Sequence, residues 1–206
     1  LFRAYQQSRY DMKKLILLYA FLLTSLAGMA GITTISGKVS GAGGQVIRLL
    51  AFEDFISGKM LTLASSEIGQ EGRFMLEASI SEVTHVYLDI NYQRAEFFLE
   101  PGVNYELNVR YHAGSQLASY FDRQGLEYDY LNQQPGDLNN NIWKFNSMYN
   151  RFIMEDFERI VTLHDKSLVS KFREAVRDTF GVQLQGYFGN YVTYKLADVE
   201  QFARLG

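Results

Sequence analysis

Between residues 31 and 112 apolar side chains tend to occupy every second position, most strictly in residues 86–92 and 105–111. A period of two residues is the pattern of a β-strand with one buried and one solvent-exposed face. Turn-forming residues interrupt this pattern at intervals of roughly 8–12 residues, which predicts about seven short strands in an antiparallel sandwich or barrel. The apolar members of the two clearest strands are Val86, Leu88, Ile90, Tyr92, Tyr105, Leu107, Val109 and Tyr111.

After Gly136 the apolar spacing changes to three and four residues, which is typical of amphipathic helices. Three helices are predicted, with Asp137 and Asp165 as the N-caps of the first two and Gly181 as the end of the second. The third is expected over roughly residues 183–205. We expect Trp143 to belong to the apolar face of the first helix, together with Leu138, Ile142, Phe145, Tyr149, Phe152, Ile160 and Leu163. The predicted fold class is therefore α+β, a β-sandwich of about seven strands followed by about three helices.

Four segments follow from these patterns. Residues 1–30 are upstream residues plus a signal peptide, and residues 31–112 form the β-sandwich domain. Residues 113–136 are a linker or transition, and residues 137–206 are the helical region. Because residues 199–206 contain no helix-stop signal, we expect the helical region to be truncated at its C-terminus.

The first thirty residues have the three parts of a secretory signal. Met12-Lys13-Lys14 is the charged region, residues 15–27 are the apolar region, and Gly28 and Ala30 are small residues before a cut between Ala30 and Gly31. The alternative is an uncleaved anchor, but the apolar run is shorter than the roughly 20 residues that span a bilayer. The expected location is periplasmic or secreted, with no stable membrane span after cleavage.

Composition removes several functional classes. The chain is 47% hydrophobic and 21% charged, which is typical of a globular protein. Its net charge of −3 argues against nucleic acid as a partner. The chain contains no cysteine, which excludes disulfides, thiolate catalysis and a lipidated cysteine. The histidines do not stand at metal-ligand spacing, so we predict no metal and no cofactor; they are His85, His112 and His164.

Other candidate chemistry has a simpler structural interpretation. The glycines of residues 40–44 precede a strand rather than a helix, so they predict a hairpin and not a phosphate loop. Glu155, Asp156 and Glu158 could form an acid–base pair, but Arg151 and Arg159 lie at i,i+4 from Glu155, as on a solvated helix face. A Ser–His–Asp triad is not excluded by residue order, although the chain has no Gly-x-Ser-x-Gly elbow.

A stripe of tyrosines supplies the candidate site. Tyr187, Tyr191 and Tyr194 stand at i, i+4 and i+7, so they share one helix face. Such a stripe is more often core, with its hydroxyls reaching water, than a face that binds a ligand or partner. A second aromatic cluster in the transition has the same two interpretations; it comprises Tyr120, Phe121, Tyr128 and Tyr130.

The β-rich part also resembles a known family. Ile35-Ser-Gly-Lys-Val39, Ser65-Ser-Glu-Ile-Gly-Gln-Glu-Gly-Arg-Phe-Met-Leu76 and Phe98-Leu-Glu-Pro-Gly102 occur in this order. The arrangement looks like the β-sandwich domain of unknown function at the N-terminus of exported thioredoxin-like (TlpA/AhpC-type) proteins of Bacteroidetes. The later region resembles the helices that follow that domain, through Leu138-Asn-Asn, Phe180-Gly and Tyr191-Val-Thr-Tyr-Lys-Leu-Ala. The resemblance implies no catalytic residue here, and the Trp-Cys-x-x-Cys motif of redox relatives is not in this sequence.

Three functional hypotheses follow. The first is a non-enzymatic exported accessory or recognition module, the N-terminal part of a thioredoxin-like protein, with a protein or glycan partner in the cell envelope. The second is a stand-alone periplasmic protein that binds a glycan or a peptide through its aromatic clusters. The third is a hydrolase with an unrecognised site, which would need a pocket of convergent polar groups.

Overall fold

The computed structural model describes residues 31–54, 56–112 and 125–202. The predicted signal peptide with its cut before Gly31, most of the predicted linker with Tyr120 and Phe121, and the C-terminal residues 203–206 lie outside the described residues. The described chain forms eight strands followed by three helices. The strands are β1 (Gly31–Ser40), β2 (Val46–Asp54), β3 (Lys59–Glu67), β4 (Arg73–Ile80), β5 (Thr84–Ile90), β6 (Gln93–Leu99), β7 (Asn104–Arg110) and β8 (Glu127–Tyr130), and the helices are α1 (Leu138–Thr162), α2 (Lys166–Phe180) and α3 (Gly186–Phe202).

The strands form two four-stranded sheets whose inner faces share one hydrophobic core. The first sheet has the order β4-β1-β7-β8 and the second the order β3-β2-β5-β6. Alternate residues of each strand point inward, as the period-two pattern predicts. The fully buried members include Ile35, Ile47, Leu49, Leu76, Val86, Leu88, Phe97 and Leu107. The predicted α+β class, a sandwich followed by helices, is confirmed.

Several details of the sheets differ from the prediction. β1 and β7 pair in parallel, because the chain between them passes through the second sheet and returns beside β1. The turn over residues 41–45 joins strands of different sheets, so it is a connection between sheets rather than a hairpin. Residues 127–130, placed in the linker by the sequence, pair with β7 as an eighth strand.

Gly37 shows why glycine stands in the middle of β1. Its φ is 158°, and a Cβ added there would overlap the carbonyl oxygen of Leu107 on the neighbouring β7. Only a residue without a side chain permits this close approach of two strands. The glycine of the Ile35-Ser-Gly-Lys-Val39 motif therefore has a packing role.

The β5–β6 hairpin ends the predicted alternation earlier than expected. Asn91 and Tyr92 both have positive φ, 48° and 67°, as in a two-residue type I′ turn. Tyr92 is consequently 66% exposed rather than buried in a strand.

Asp89 is a buried acid on the face of β5 that points away from the sandwich core, and it is 2% exposed. Side-chain nitrogens of Arg94 and Arg48 cover it, at 3.0 and 3.6 Å from its carboxylate oxygens.

The helices form a second hydrophobic cluster, rich in phenylalanine, to which the sheet contributes Phe98. Asp165 caps α2 by accepting a hydrogen bond from the Ser167 N–H at 3.1 Å, as predicted. Asp137 occupies the N-cap position of α1, as predicted, but its side chain makes no capping hydrogen bond, and its carboxylate accepts the Gln134 N–H at 2.6 Å instead. None of the helices in the described part of the chain combines the length and the hydropathy that a membrane crossing requires.

Candidate functional site

The predicted tyrosine stripe lies on α3 and lines one groove. Tyr187, Tyr191 and Tyr194 line a groove of about 350 Å³, and the other lining residues are Asn190, Lys195 and Asp198. Tyr194 is 75% exposed, whereas Tyr187 and Tyr191 are half-buried. The structure therefore brings the three tyrosines together but gives them different environments.

Two of these tyrosines also pack against the sheet. The ring centroids of Tyr187 and Tyr191 each lie 5.9 Å from that of Phe98 on β6. The Tyr191 hydroxyl donates a hydrogen bond of 2.9 Å to Oδ1 of Asn146 on α1. Burial raises the pKa of both tyrosines, so their hydroxyls stay protonated and can donate hydrogen bonds at neutral pH. These two residues both hold the helix in place and line the groove.

The groove contains two charged side chains, the cation Lys195 and the anion Asp198. The ammonium of Lys195 lies 5.5 Å from the ring centroid of Tyr149 and 5.9 Å from that of Tyr191, within the range of cation–π contacts. The Asp198 carboxylate is near enough to Tyr149 to add to the burial effect that raises the pKa of this tyrosine. We call the groove with these rings and charges the tyrosine face. Its groups offer stacking, cation–π contact and hydrogen bonding, which are means of recognition.

α1 holds this face against the edge of the second sheet. Asn139 is buried, and its side chain bonds the Phe98 backbone twice: Oδ1 accepts the Phe98 N–H and Nδ2 donates to the Phe98 carbonyl, both at 2.8 Å. Further along β6, the Tyr128 hydroxyl donates to the Glu96 carbonyl at 3.0 Å and the Leu126 N–H donates to the Arg94 carbonyl at 3.0 Å. These bonds occupy backbone groups that an exposed edge strand would leave unpaired.

His85 lies where the sheet meets the helices. Its ring stacks on Phe98 with the centroids 4.6 Å apart and the planes 12° apart. Its Nε2 lies 2.7 Å from the Glu96 carboxylate, but the two groups are not aligned for a hydrogen bond. His85 holds the pKa of Glu96 below its ordinary value. This histidine is thus packed against Phe98 and paired with Glu96, both on the neighbouring strand β6. Residues 31–54, 56–112 and 125–202 contain no cluster of His, Asp or Glu that could hold a metal ion.

The carboxylates of α1 contact arginine differently from the predicted i,i+4 pairs. Arg159 lies 3.0 Å from the Asp156 carboxylate and 3.2 Å from that of Asp165, rather than pairing with Glu155 as the i,i+4 spacing predicts. The Asp165 contact comes from the next helix and could not be read from spacing along α1. Both pairs lie at the surface and join the end of α1 to the start of α2.

A second groove, of about 610 Å³, lies between β8 and α1. Trp143 stands on it and is 70% exposed, so its expected place on the apolar face was wrong. The sequence contained the signal: Leu138, Ile142, Phe145 and Tyr149 already complete a 3/4 pattern that position 143 does not fit. The other lining residues are Arg110, Leu126, Glu127, Tyr128, Asp129, Tyr130, Gln133, Asn139 and Asn140. We call this the tryptophan groove.

The chain matches no protein-family model and no curated protein. Among solved structures it is similar to a Bacteroides fragilis protein described as a "putative cell adhesion protein", with 11% identity, 52% of this chain and 46% of that chain covered, and a TM-score of 0.26. It is also similar to a 9R-lipoxygenase from Cyanothece, with 9% identity, 76% of this chain and 30% of that chain covered, and a TM-score of 0.24. The chain spans less than half the length of either structure.

Proposed function

We propose that this chain is a non-enzymatic, exported accessory module that recognises a protein partner in the cell envelope through the tyrosine face. The observation that supports this is the pairing of an exposed Tyr194 with two tyrosines anchored on the sheet. Anchored aromatic rings lose little conformational entropy when they bind, and tyrosine is enriched in the centres of interfaces. The groove offers stacking and hydrogen bonding, which suit binding rather than bond cleavage.

The resemblance supplies the context of this proposal. A sandwich followed by helices is the order expected for the domain that precedes the redox domain of exported thioredoxin-like proteins. We therefore place the module N-terminal to a thioredoxin-like domain in its full protein. Reading the gene beyond the codon of Gly206 tests this placement, and a Trp-Cys-x-x-Cys sequence in the same frame is the expected result. A frame that encodes no such domain contradicts the placement but leaves recognition by the tyrosine face untouched.

Export is tested by fusing residues 1–206 to alkaline phosphatase, which is active only outside the cytoplasm. We expect phosphatase activity and a mature N-terminus at Gly31. Ala30→Asp replaces the small residue before the cut and should block cleavage. An intact N-terminus in the unsubstituted fusion would contradict a cleaved signal peptide.

Recognition is tested by placing a photo-crosslinking amino acid at position 194 in cells that express the chain. The matched control carries it at Met154, which is 86% exposed on α1 and does not line the tyrosine face. We expect one discrete crosslinked species at position 194, absent at position 154 and lost when Tyr187→Ala is added. Equal crosslinking at the two positions would show that the face has no selective partner.

The alternative is a stand-alone periplasmic protein that binds a glycan or a peptide. The observation that favours it is the tryptophan groove, which is larger than the tyrosine face and more polar in its lining residues.

A further inference from the structure

The tryptophan groove combines a flat apolar surface with a polar rim. The Trp143 ring is 70% exposed, and an exposed indole has a large apolar area that can be removed from water. Asn140 lies one helical turn before Trp143, so both side chains are on the same side of α1. Gln133, in the segment before the helix, is also exposed and lines the same groove. These amides can each donate and accept hydrogen bonds.

The opposite wall carries one more negative than positive charge. Glu127 and Asp129 alternate on β8 and so share one face of this strand. Arg110 on β7 donates to both carboxylates, at 3.0 Å to Glu127 and 2.6 Å to Asp129. Each carboxylate keeps further acceptor positions, because an ionised carboxylate has about four. The described lining therefore carries one positive and two negative charges, with the cation already engaged.

We infer that the tryptophan groove binds a neutral oligosaccharide, with one sugar ring stacked on Trp143 and its hydroxyls bonded to the carboxylates and amides of the rim. A pyranose has a face of C–H groups and a circumference of hydroxyls, each of which donates and accepts. That combination matches an exposed indole surrounded by acceptors and amides. A volume of about 610 Å³ also lies within the usual range of small-ligand sites.

The charges argue against other stacking ligands. The phosphates of a nucleotide would meet a net negative wall whose only described cation is paired. A peptide offers one donor and one acceptor per backbone unit and would satisfy fewer of the rim groups than a polyol. This site is distinct from the proposed partner surface, since no described residue lines both the tryptophan groove and the tyrosine face.

The test uses the chain's single tryptophan as its own reporter. The purified chain is titrated with neutral hexasaccharides of glucose, mannose, xylose and N-acetylglucosamine, and with a hexagalacturonide as the charged comparison. We expect one of the neutral hexasaccharides to change the Trp143 emission with saturation and a Kd below about 1 mM. The hexagalacturonide should bind at least about tenfold more weakly because of the negative wall.

Substitutions in the tryptophan groove test whether the hexasaccharide binds there. Calorimetry should show that Trp143→Ala weakens binding at least about tenfold and that Trp143→Phe, which keeps a ring, weakens it less. Asn140→Ala should weaken binding several-fold with the fluorescence reporter intact, whereas Tyr194→Ala should leave it unchanged. Unchanged thermal unfolding of each variant shows that the fold persists, which we expect because Trp143 and Tyr194 are exposed and Asn140 is only half-buried. Absence of saturation by every neutral hexasaccharide up to about 10 mM, or undiminished binding in Trp143→Ala, would overturn the inference.

Discussion

The two hydrophobic clusters of the described residues differ in what completes them. The sandwich cluster draws its buried residues from the strands and from three residues in connections, Ala42, Ile68 and Leu126, and none of its members lies on a helix. The helical cluster includes Phe98 from β6, which is 4% exposed. The sandwich can therefore close its core without the helices, whereas the helices complete theirs on the sheet. We therefore expect a one-way dependence, in which the helices need the sandwich for their stability and the sandwich does not need the helices.

Phe98 can serve the helical cluster because neighbouring residues of β6 face opposite layers. Phe97 points into the sandwich and Phe98 away from it, and both are buried. The backbone between these faces is held by Asn139, which satisfies the edge of β6 at Phe98. The bonds between the Asn139 side chain and the Phe98 backbone therefore connect the helices to the sheet, and we call this contact the join.

The largest expected effect comes from Phe145→Ala. Phe145 is fully buried and contacts Phe172, Phe180 and Phe188 with ring-centroid distances of 6.4 to 6.5 Å. Truncating a buried phenylalanine costs about 3–5 kcal/mol through lost transfer energy and a cavity. Hydrogen exchange should show that amides of α1, α2 and α3 lose protection while those of β2 and β5 keep it.

Leu88→Ala is the matched substitution in the sandwich, where Leu88 is also fully buried. It should cost about 2–5 kcal/mol. Unlike Phe145→Ala, it should lower the protection of strands and helices together, because loosening β5 and β6 displaces Phe98. If Phe145→Ala exposed the strands as much as the helices, the two clusters would unfold as one unit and the one-way dependence would be wrong.

The join itself is tested by Asn139→Ala. The change leaves the Phe98 N–H and carbonyl without their partner, and an unsatisfied buried polar group costs about 1–3 kcal/mol. Asn139→Asp should cost at least as much at pH 7, since it keeps an acceptor for the N–H but buries a carboxylate and places an oxygen against the Phe98 carbonyl. Asn140→Ala is the neighbouring control and should change the free energy of unfolding by less than about 0.5 kcal/mol. Urea unfolding of the three variants measures the differences, and equal losses at 139 and 140 would remove the proposed role of the join.

Local patterns predicted the layers but not how they join. The alternation of β7 and the 3/4 spacing of α1 identified Tyr105, Leu107 and Phe145 as buried, because these patterns depend only on neighbouring residues. They could not show that Phe97 and Phe98 are both buried in different clusters. Phe98 is buried because α1 covers the outer face of β6. The contact comes from Asn139, which lies 41 residues after Phe98 in the sequence, so a local pattern cannot reveal it.

β8 and the candidate site also depend on contacts between distant parts of the sequence, which local patterns do not show. β8 was missed because four residues with two half-buried tyrosines are too short to display a period, and its partner β7 lies across the linker. Spacing on α3 placed Tyr187, Tyr191 and Tyr194 on one side, as the groove shows. Their unequal exposure depends on Phe98 and Asn146, which come from other elements. The tryptophan groove is lined by β8, so it could not be predicted once β8 had been missed.

A smaller effect is expected at the start of α2. Asp165→Ala removes the acceptor for the Ser167 N–H and the contact with Arg159, and loss of an N-cap costs about 1 kcal/mol. Asp165→Asn, which keeps a capping oxygen, should cost less than half of this. Because α2 belongs to the helical cluster, its amides should lose protection before those of the sandwich strands. Loss of protection in β2 or β5 at the same rate would again contradict the one-way dependence.

The smallest expected effect concerns Glu96 and Glu100, whose contributions to stability should change with pH in opposite directions. His85 lowers the pKa of Glu96 from its ordinary value of 4.5, so the stabilisation is complete above that value and is lost as pH falls through the folded pKa. Burial, with Asp137 nearby, raises the pKa of Glu100, so its ionisation costs stability above the folded pKa and the cost disappears as pH falls.

Thermal unfolding between pH 3 and 7 should distinguish these two groups. Glu96→Gln should lower Tm at pH 7 and have less effect at pH 3, while Glu100→Gln should raise Tm at pH 7 and have less effect at pH 3. The shifts should be small, because partly exposed pairs contribute about 0–1 kcal/mol. If Glu96→Gln raised Tm at pH 7, the cost of removing this carboxylate from water would exceed its attraction to His85. The imidazole would then stabilise the β5–β6 pair mainly through its stacking on Phe98.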